Sequence, residues 1–279
     1  MRHLIFLVIP TMFARLTLIA SLAAAALGAS SAAQAQYTIK LGGAYIEPHA
    51  TSESLRGGVA VPSPLGGHLV LNSGVAFQVQ PQGTAIFAIE RALSDRWSVE
   101  FVLGNPPKHD VKLKVENPQI DASNVTPGST PFSAAQAQGA ASAGLRSKLA
   151  AQNGTVVATV RQWAPTVFFN YKFFEPSSAV RPFIGIGINV TRFKARTTAA
   201  GDTLYADGAK PEISLSDSIG PAAQVGVSYK LDQNWSLNAS VATARVDNKL
   251  TIRTASGLRQ ESSFRFNPTV YTATVGYSF

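Results

Sequence analysis

GPAAQVGVSYKLDQNWSLNASVAT, Gly220 to Thr243, is the stretch on which the reading of the chain turns. It holds two alternating runs joined by Asp232-Gln233-Asn234. In the first, Ala223, Val225, Val227, Tyr229 and Leu231 are apolar, and Gln224, Gly226, Ser228 and Lys230 between them are small or polar. In the second, Trp235, Leu237, Ala239 and Val241 alternate with Ser236, Asn238 and Ser240. Successive side chains on a strand point to opposite faces, so each run has one apolar and one polar face. The short polar joint makes the pair a hairpin. In a soluble sandwich the apolar faces would pack on a second sheet. In a membrane barrel they face lipid, and the polar faces line the lumen.

Composition favours the membrane. Of 279 residues, 46% are hydrophobic and only 14% charged, against about 25% charged in an ordinary soluble domain. The formal charge is +8, but the basic residues are scattered, whereas nucleic-acid binders cluster theirs, so no nucleic-acid partner is expected. With no cysteine there is no disulfide, thiolate metal site or lipoprotein anchor. Residues 1–35 read as a cleaved signal peptide: Arg2 and Arg15, an apolar core over Leu16 to Leu27, then Ala33-Gln34-Ala35. Pro10 and Arg15 make the first eleven residues superfluous to it, which points to Met12 as the start. That core is shorter than the roughly 20 residues of a spanning helix. Residues 36–279 form one unit.

Alternation recurs along that unit: Tyr37 to Ile46, Thr84 to Leu93, Trp97 to Gly104, Val156 to Phe174, Arg181 to Phe193, the two runs of the opening hairpin, and Phe264 to Phe279. That makes eight strands. Three short joints, at 94–96, 175–180 and 232–234, alternate with four longer connections. Transmembrane barrels have short periplasmic turns and long outer loops. Trp97, Phe173, Phe174, Phe183, Tyr229, Trp235, Tyr277 and Phe279 lie by the short joints, where an interfacial girdle belongs. The expected fold is therefore all-β: an eight-stranded antiparallel transmembrane β-barrel of the cell outer membrane, with short periplasmic turns and long extracellular loops. Within the connections, Ala134 to Ala151 is a helix candidate on propensity; 196–216 reads as a polar loop and 245–262 as a charged connection. Tyr277 and the terminal Phe279 resemble the signal by which the barrel assembly machinery recognises its clients.

Five stretches resemble the OmpW family of small outer-membrane barrels: KLGGAYIEP (40–48), RWSVEFVLGNPPKHDV (96–111), RPFIGIGINVTRF (181–193), DSIGPAAQVGVSYKLDQNWSLNASV (217–241) and PTVYTATVGYSF (268–279). The chain differs from the family mainly in its larger 55–83 and 112–155 regions. The resemblance implies an eight-stranded barrel with a narrow, largely apolar interior that admits small hydrophobic solutes.

Four groups of residues are candidates for function. Lys40, Glu90, Glu100, Lys172 and Lys230 point inward, most of them toward the periplasmic end, as a charge gate or as a salt-bridge network plugging a narrow barrel. An eight-stranded interior is just wide enough for side chains to fill, which favours the plug. Phe168, Phe193 and Val102 place apolar groups on the lumen face as a solute pocket or as filler. Arg192, Lys194, Arg196, Arg245, Lys249, Arg253, Arg259 and Arg265 lie on the long-loop side, where they would meet lipopolysaccharide phosphates or simply be solvated. Lys108-His109-Asp110 is the most enzyme-like cluster, but neighbours on a strand point to opposite faces, so base and orienting acid fail the geometry of a triad. The four histidines have no ligand spacing, and neither metal nor cofactor is expected. The expected protein is a non-enzymatic channel or binding pocket for small hydrophobic molecules. The alternative is a structural or surface-interaction barrel without transport, and a lipid-modifying enzyme ranks last.

Overall fold

The computed structural model describes residues 37–205 and 207–279; the expected signal peptide lies outside them. In chain order, β1 (Tyr37–Glu47) leads to the hairpin β2 (Arg56–Ala60) and β3 (Gly66–Val79), then to β4 (Gln82–Ala92) and β5 (Trp97–Gly104). A second excursion holds β6 (Lys108–Asp121), the short β7 (Val125–Thr126), α1 (Ala134–Gln152) and β8 (Val156–Trp163). Next come β9 (Thr166–Lys172), β10 (Val180–Thr197), α2 (Ala199–Tyr205), β11 (Glu212–Leu215), β12 (Ser218–Lys230) and β13 (Trp235–Ala244). The hairpin β14 (Val246–Arg253) and β15 (Arg259–Phe266) precedes β16 (Thr269–Ser278).

Eight of these close on themselves in the order β1, β4, β5, β9, β10, β12, β13, β16, every pair antiparallel and β16 returning to β1. Closure removes every edge, so each backbone polar group in the wall finds a partner, as a bilayer demands. Among the described residues no helix is long and apolar enough to cross a membrane. The alternation has the predicted sense: Ile186 is 71% exposed on the outside, while Gly185 beside it is buried. The alternating glycines serve the crowded interior. A Cβ on Gly185 would collide with the Asn170 amide, and one on Gly226 with the Phe183 ring.

The long connections are not loops. β11, β14, β15, β2, β3, β6, β8 and the upper part of β10 pair in that order into a second tier standing on the barrel. Here the alternation is inverted. On β14, Val246, Leu250 and Ile252 are buried inside, while Asp247, Lys249 and Arg253 face out. β10 shows the inversion within one strand. Below, Ile184, Ile186 and Ile188 face outward; above, Arg192, Lys194 and Arg196 continue that face, and Phe193 and Ala195 turn inward. The lower outer face meets acyl chains and the upper one meets water, so the apolar side must change faces where the strand leaves the bilayer. Proline marks the crossing on four connections: Pro48 follows β1, Pro107 precedes β6, Pro165 separates β8 from β9, and Pro268 separates β15 from β16. Pro has no N–H for the ladder, so at these four junctions it interrupts the pairing.

Three expectations are corrected by this arrangement. Val156 to Phe174 and Phe264 to Phe279 are each two strands, interrupted at Pro165 and Pro268. Residues 196–216 hold α2 and β11, and 245–262 form most of a hairpin. The expected helix is present as α1. Ser133 Oγ accepts from Gln136 N (3.3 Å) and Gln136 Oε1 accepts from Ser133 N (2.8 Å), a reciprocal cap. Its buried residues Ala137, Ala141, Leu145 and Leu149 recur every fourth position and join the tier's core with Leu55, Leu71, Phe77 and Leu113.

Candidate functional site: a plugged lumen with two apolar cavities

The short-turn end of the barrel carries aromatic residues on its outer face. The Trp97 ring stacks on Phe169 at 4.7 Å and meets Tyr171 edge-on at 4.9 Å, and Trp235 meets Tyr277 at 5.0 Å. Phe183 is the exception: it is buried and faces the lumen, because it shares a face with Gly185 rather than with Ile184.

Inside, just above this end, the predicted charges meet. Glu90 and Glu100 are direct partners across β4 and β5. Lys40 Nζ lies 2.7 Å from Glu90 Oε2 and 2.7 Å from Glu100 Oε1, and Lys172 Nζ lies 2.6 Å from Glu90 Oε1. Ser98 also donates to Glu90. Asn170 and Gln224 donate to Glu100 Oε2 at 3.0 and 2.9 Å. All four carboxylate oxygens are thus bonded, and two lysines against two glutamates leave no net charge. Isolated buried charges are costly, while paired and hydrogen-bonded ones are tolerated. The cluster is a satisfied plug. Lys230 is not in it: its Nζ donates to Pro176 O at 2.7 Å, at the exposed mouth. Position decides this, since Lys230 ends β12 while Gln224, six residues deeper on the same face, reaches the plug. Asn170 and Gln224 were legible as lumen-facing but not as ligands of Glu100.

Above the plug lies a cavity of about 130 Å³, with Lys40, Glu100 and Phe183 at its floor and Val102, Phe168, Ile86 and Val270 among its walls. Phe168 is 4% exposed and sits opposite Glu100. Phe193 is not in this cavity. It belongs to a second, upper cavity of about 50 Å³ inside the second tier, with Phe77, Val111, Leu250 and Phe266, its ring 6.5 Å from that of Phe266. Gln162 lines both cavities. The solute-pocket residues are therefore divided between two stacked chambers. The upper one was hidden from sequence because most of its residues lie in stretches that read as loops.

His109 lines the upper cavity, nearly fully buried, with Nδ1 2.9 Å from Gln80 O. Burial holds its imidazole below the ordinary histidine value, against a raising effect from the Gln80 carbonyl and Asp110. Asp110 is exposed on the opposite face of β6. Of the predicted basic set, Arg245 and Arg265 bond Asp247 at 2.8 and 3.0 Å, and Arg192 lies 3.7 Å from Asp217. Arg259 pairs with Glu261. Lys194 is the direct partner of Arg161 on β8, and Arg161 of Lys108 on β6.

Known proteins resemble this chain in sequence and in fold. The model of the OmpW family matches residues 140–279. Outer membrane protein W of Salmonella typhi is 34% identical over 127 residues, 44% of this chain and 56% of that protein. The Escherichia coli K12 protein of the same name is 35% identical over the same length and shares. The match thus spans about half the length of these curated relatives. The crystal structure of the outer membrane protein OprG from Pseudomonas aeruginosa superimposes with a TM-score of 0.63 at 19% identity, covering 88% of this chain and 95% of that one; this likeness is one of fold. With the family model matching half of the chain, and a closed eight-stranded wall beneath it, this chain belongs to the OmpW family and is a β-barrel of the outer membrane.

Proposed function

We propose that this barrel takes small hydrophobic molecules from the outer face into its lumen, as a narrow channel or binding pocket. One observation carries the reading: two stacked cavities, the upper apolar and the lower walled by Ile86, Val102, Phe168 and Val270 among uncharged polar groups, above a floor with no net charge. An ion pathway would want a wet, charged route, whereas here the charges are consumed in one another. The middle cavity, at about 130 Å³, approaches the roughly 150 Å³ of an engineered apolar cavity that binds benzene. A solute of one aromatic ring is therefore the natural scale. The test is accumulation of a labelled monoaromatic in a deletion strain carrying wild-type or Val102→Trp protein. Filling the cavity should return uptake to the level of the empty strain. Unchanged uptake across a panel of apolar solutes, with or without the protein, would favour the alternative, a structural or surface-interaction barrel.

The reading is non-enzymatic. His109 has its Nδ1 committed to a carbonyl, and its sequence neighbour Asp110 faces away. Unchanged lipid A and phospholipid in a His109→Ala strain is the expected result.

Two partners complete the proposal. Lys108, Arg161 and Lys194 form a row of directly opposed cations across three strands, two residues above the half-exposed Trp163 of β8. Like charges face to face are unfavourable on their own, and among the described residues none of the three makes an ion pair; Asp110 is the acid on that face. Lipopolysaccharide phosphates at the bilayer surface would neutralise the row. Replacing all three by Ala should lower co-purified lipopolysaccharide several-fold, where a Lys249→Ala, Arg253→Ala control does not. Tyr277 and Phe279, exposed on and beyond β16, are proposed as the contact for the barrel assembly machinery.

A further inference from the structure

The middle cavity has two unlike halves. In the ring of eight strands β5 stands four places from β13, and β9 four places from β16, so the two pairs face each other across the lumen. β5 and β9 bring Val102 and the Phe168 ring to the cavity, while β13 and β16 bring Asn238, Ser240, Thr272 and Thr274. Ser240 and Thr272 are direct cross-strand partners, half-buried, with their hydroxyl oxygens 2.7 Å apart. Asn238 and Thr274, each at 9% exposure, are more enclosed. A hydroxyl pair spends one hydrogen on itself, which leaves its second O–H and further lone pairs for another molecule. Polar groups elsewhere on the wall donate within the protein. Asn189 donates to Thr166 Oγ1 at 2.8 Å, Gln224 to Glu100 and Asn170, and Thr84 to the Asn105 carbonyl.

We propose that the middle cavity prefers a two-faced solute: one flat ring against Val102 and Phe168, with a single uncharged hydrogen-bonding substituent on the Ser240–Thr272 pair. Phenols and aromatic alcohols are that class, and the hydroxyl pair sets the specificity. This rests on the uptake of small hydrophobic molecules and names the class within it. A few placed polar groups in a mainly apolar pocket fix a ligand's orientation and identity. A purely apolar ring would strip water from the pair without replacing the lost bond, and a site with polar groups discriminates against such a ligand. A phenol replaces it: its O–H donates to one hydroxyl oxygen, and its own oxygen accepts the second O–H of the pair. The floor excludes charge. Lys40 bonds both glutamates and each Glu100 oxygen is already bonded, so a carboxylate finds no spare cation and an ammonium no spare anion. The volume of about 130 Å³ limits the solute to one ring.

The test compares phenol, toluene and benzoate, matched in ring and differing in the substituent. Binding to the full-length barrel in lipid nanodiscs is followed by NMR, with ring-current shifts of the Val102 and Thr272 methyl groups reporting the site and empty nanodiscs correcting for partition into lipid. Phenol should bind about tenfold more tightly than toluene, the worth of one net hydrogen bond. Benzoate should bind more weakly than either. The double variant Ser240→Ala, Thr272→Val should bring the phenol-to-toluene ratio toward one. The conservative variants Ser240→Thr and Thr272→Ser, which keep both hydroxyls, should retain it. Folding of each is checked by the gel shift on heating. If toluene binds the wild type as well as phenol does, water satisfies the pair and this inference is overturned, while the apolar uptake reading stands. A preference that survives the double variant, or is lost in the folded conservative ones, overturns it too, as does benzoate binding best. If neither phenol nor toluene shifts the Val102 methyls, the uptake reading itself has failed.

Discussion

Lys40 shows how much one side chain can hold. It bonds both Glu90 and Glu100 within the lumen, and its ring neighbour Phe183 lies 5.8 Å away. Removing one partner of a buried, bonded pair costs about 3–5 kcal/mol, because the other is left uncompensated. Lys40→Met should therefore lower the temperature at which the folded band converts on a detergent gel, and adding Glu100→Gln should recover part of the loss. His109 gives a second prediction at this scale. Unfolded, its ring takes a proton near 6.5; folded, burial delays protonation to lower pH. Between those values the unfolded state binds more protons, so stability falls as pH drops below about 6.5. Urea midpoints at pH 7, 6 and 5 should decline more for the wild type than for His109→Phe. Much of this was visible in the residues. Alternation alone put Lys40, Glu90, Glu100 and Lys172 on one face. It could not rank depth, so it included Lys230, which stops at the mouth. It placed Phe183 by its nearness to a turn instead of by its parity with Gly185, and so assigned it to the girdle.

At the scale of elements the main correction is the second tier. β14 alternates as clearly as β13, but with charge outside and apolar residues inside. A reading that looks for an apolar outer face passes over it. The charged positions Asp247, Lys249 and Arg253 made it resemble a loop, though Val246, Leu250 and Ile252 between them carry the core. α1 was legible because its Ala- and Gln-rich run is helical on local propensity and its cap is local. β2, β3, β6 and β15 depend on partners distant in sequence, as where Gln260 pairs with Gly57. Backbone amides of β3, β6, β14 and β15 should therefore exchange with deuterium slowly, on the scale of the barrel strands. The turn at 254–258 should exchange quickly. Exchange within seconds throughout all four would mean that the connections are loops after all.

Taken whole, the molecule is one continuous ladder in two environments. The lower wall is greasy outside and polar within, and the upper wall is the reverse. Leu237 is 45% exposed on the outer face and its neighbour Asn238 only 9%. With no native cysteine to interfere, Leu237→Cys should be quenched by lipid-soluble reagents and Asn238→Cys should not. The opposite order holds for the tier: Lys249→Cys should react with water-soluble maleimide and Leu250→Cys should resist it.

The sequence by itself determined the closed wall, its sense and its polarity, because period-two alternation and the short turns are local facts that each strand repeats. It also determined which charges share the lumen. Only the tertiary structure decided that the connections pair into a second tier, that Phe168 and Phe193 occupy separate chambers, and that His109 is buried against the upper one. Those facts depend on register between segments as much as two hundred residues apart, and no local pattern carries register across such a distance.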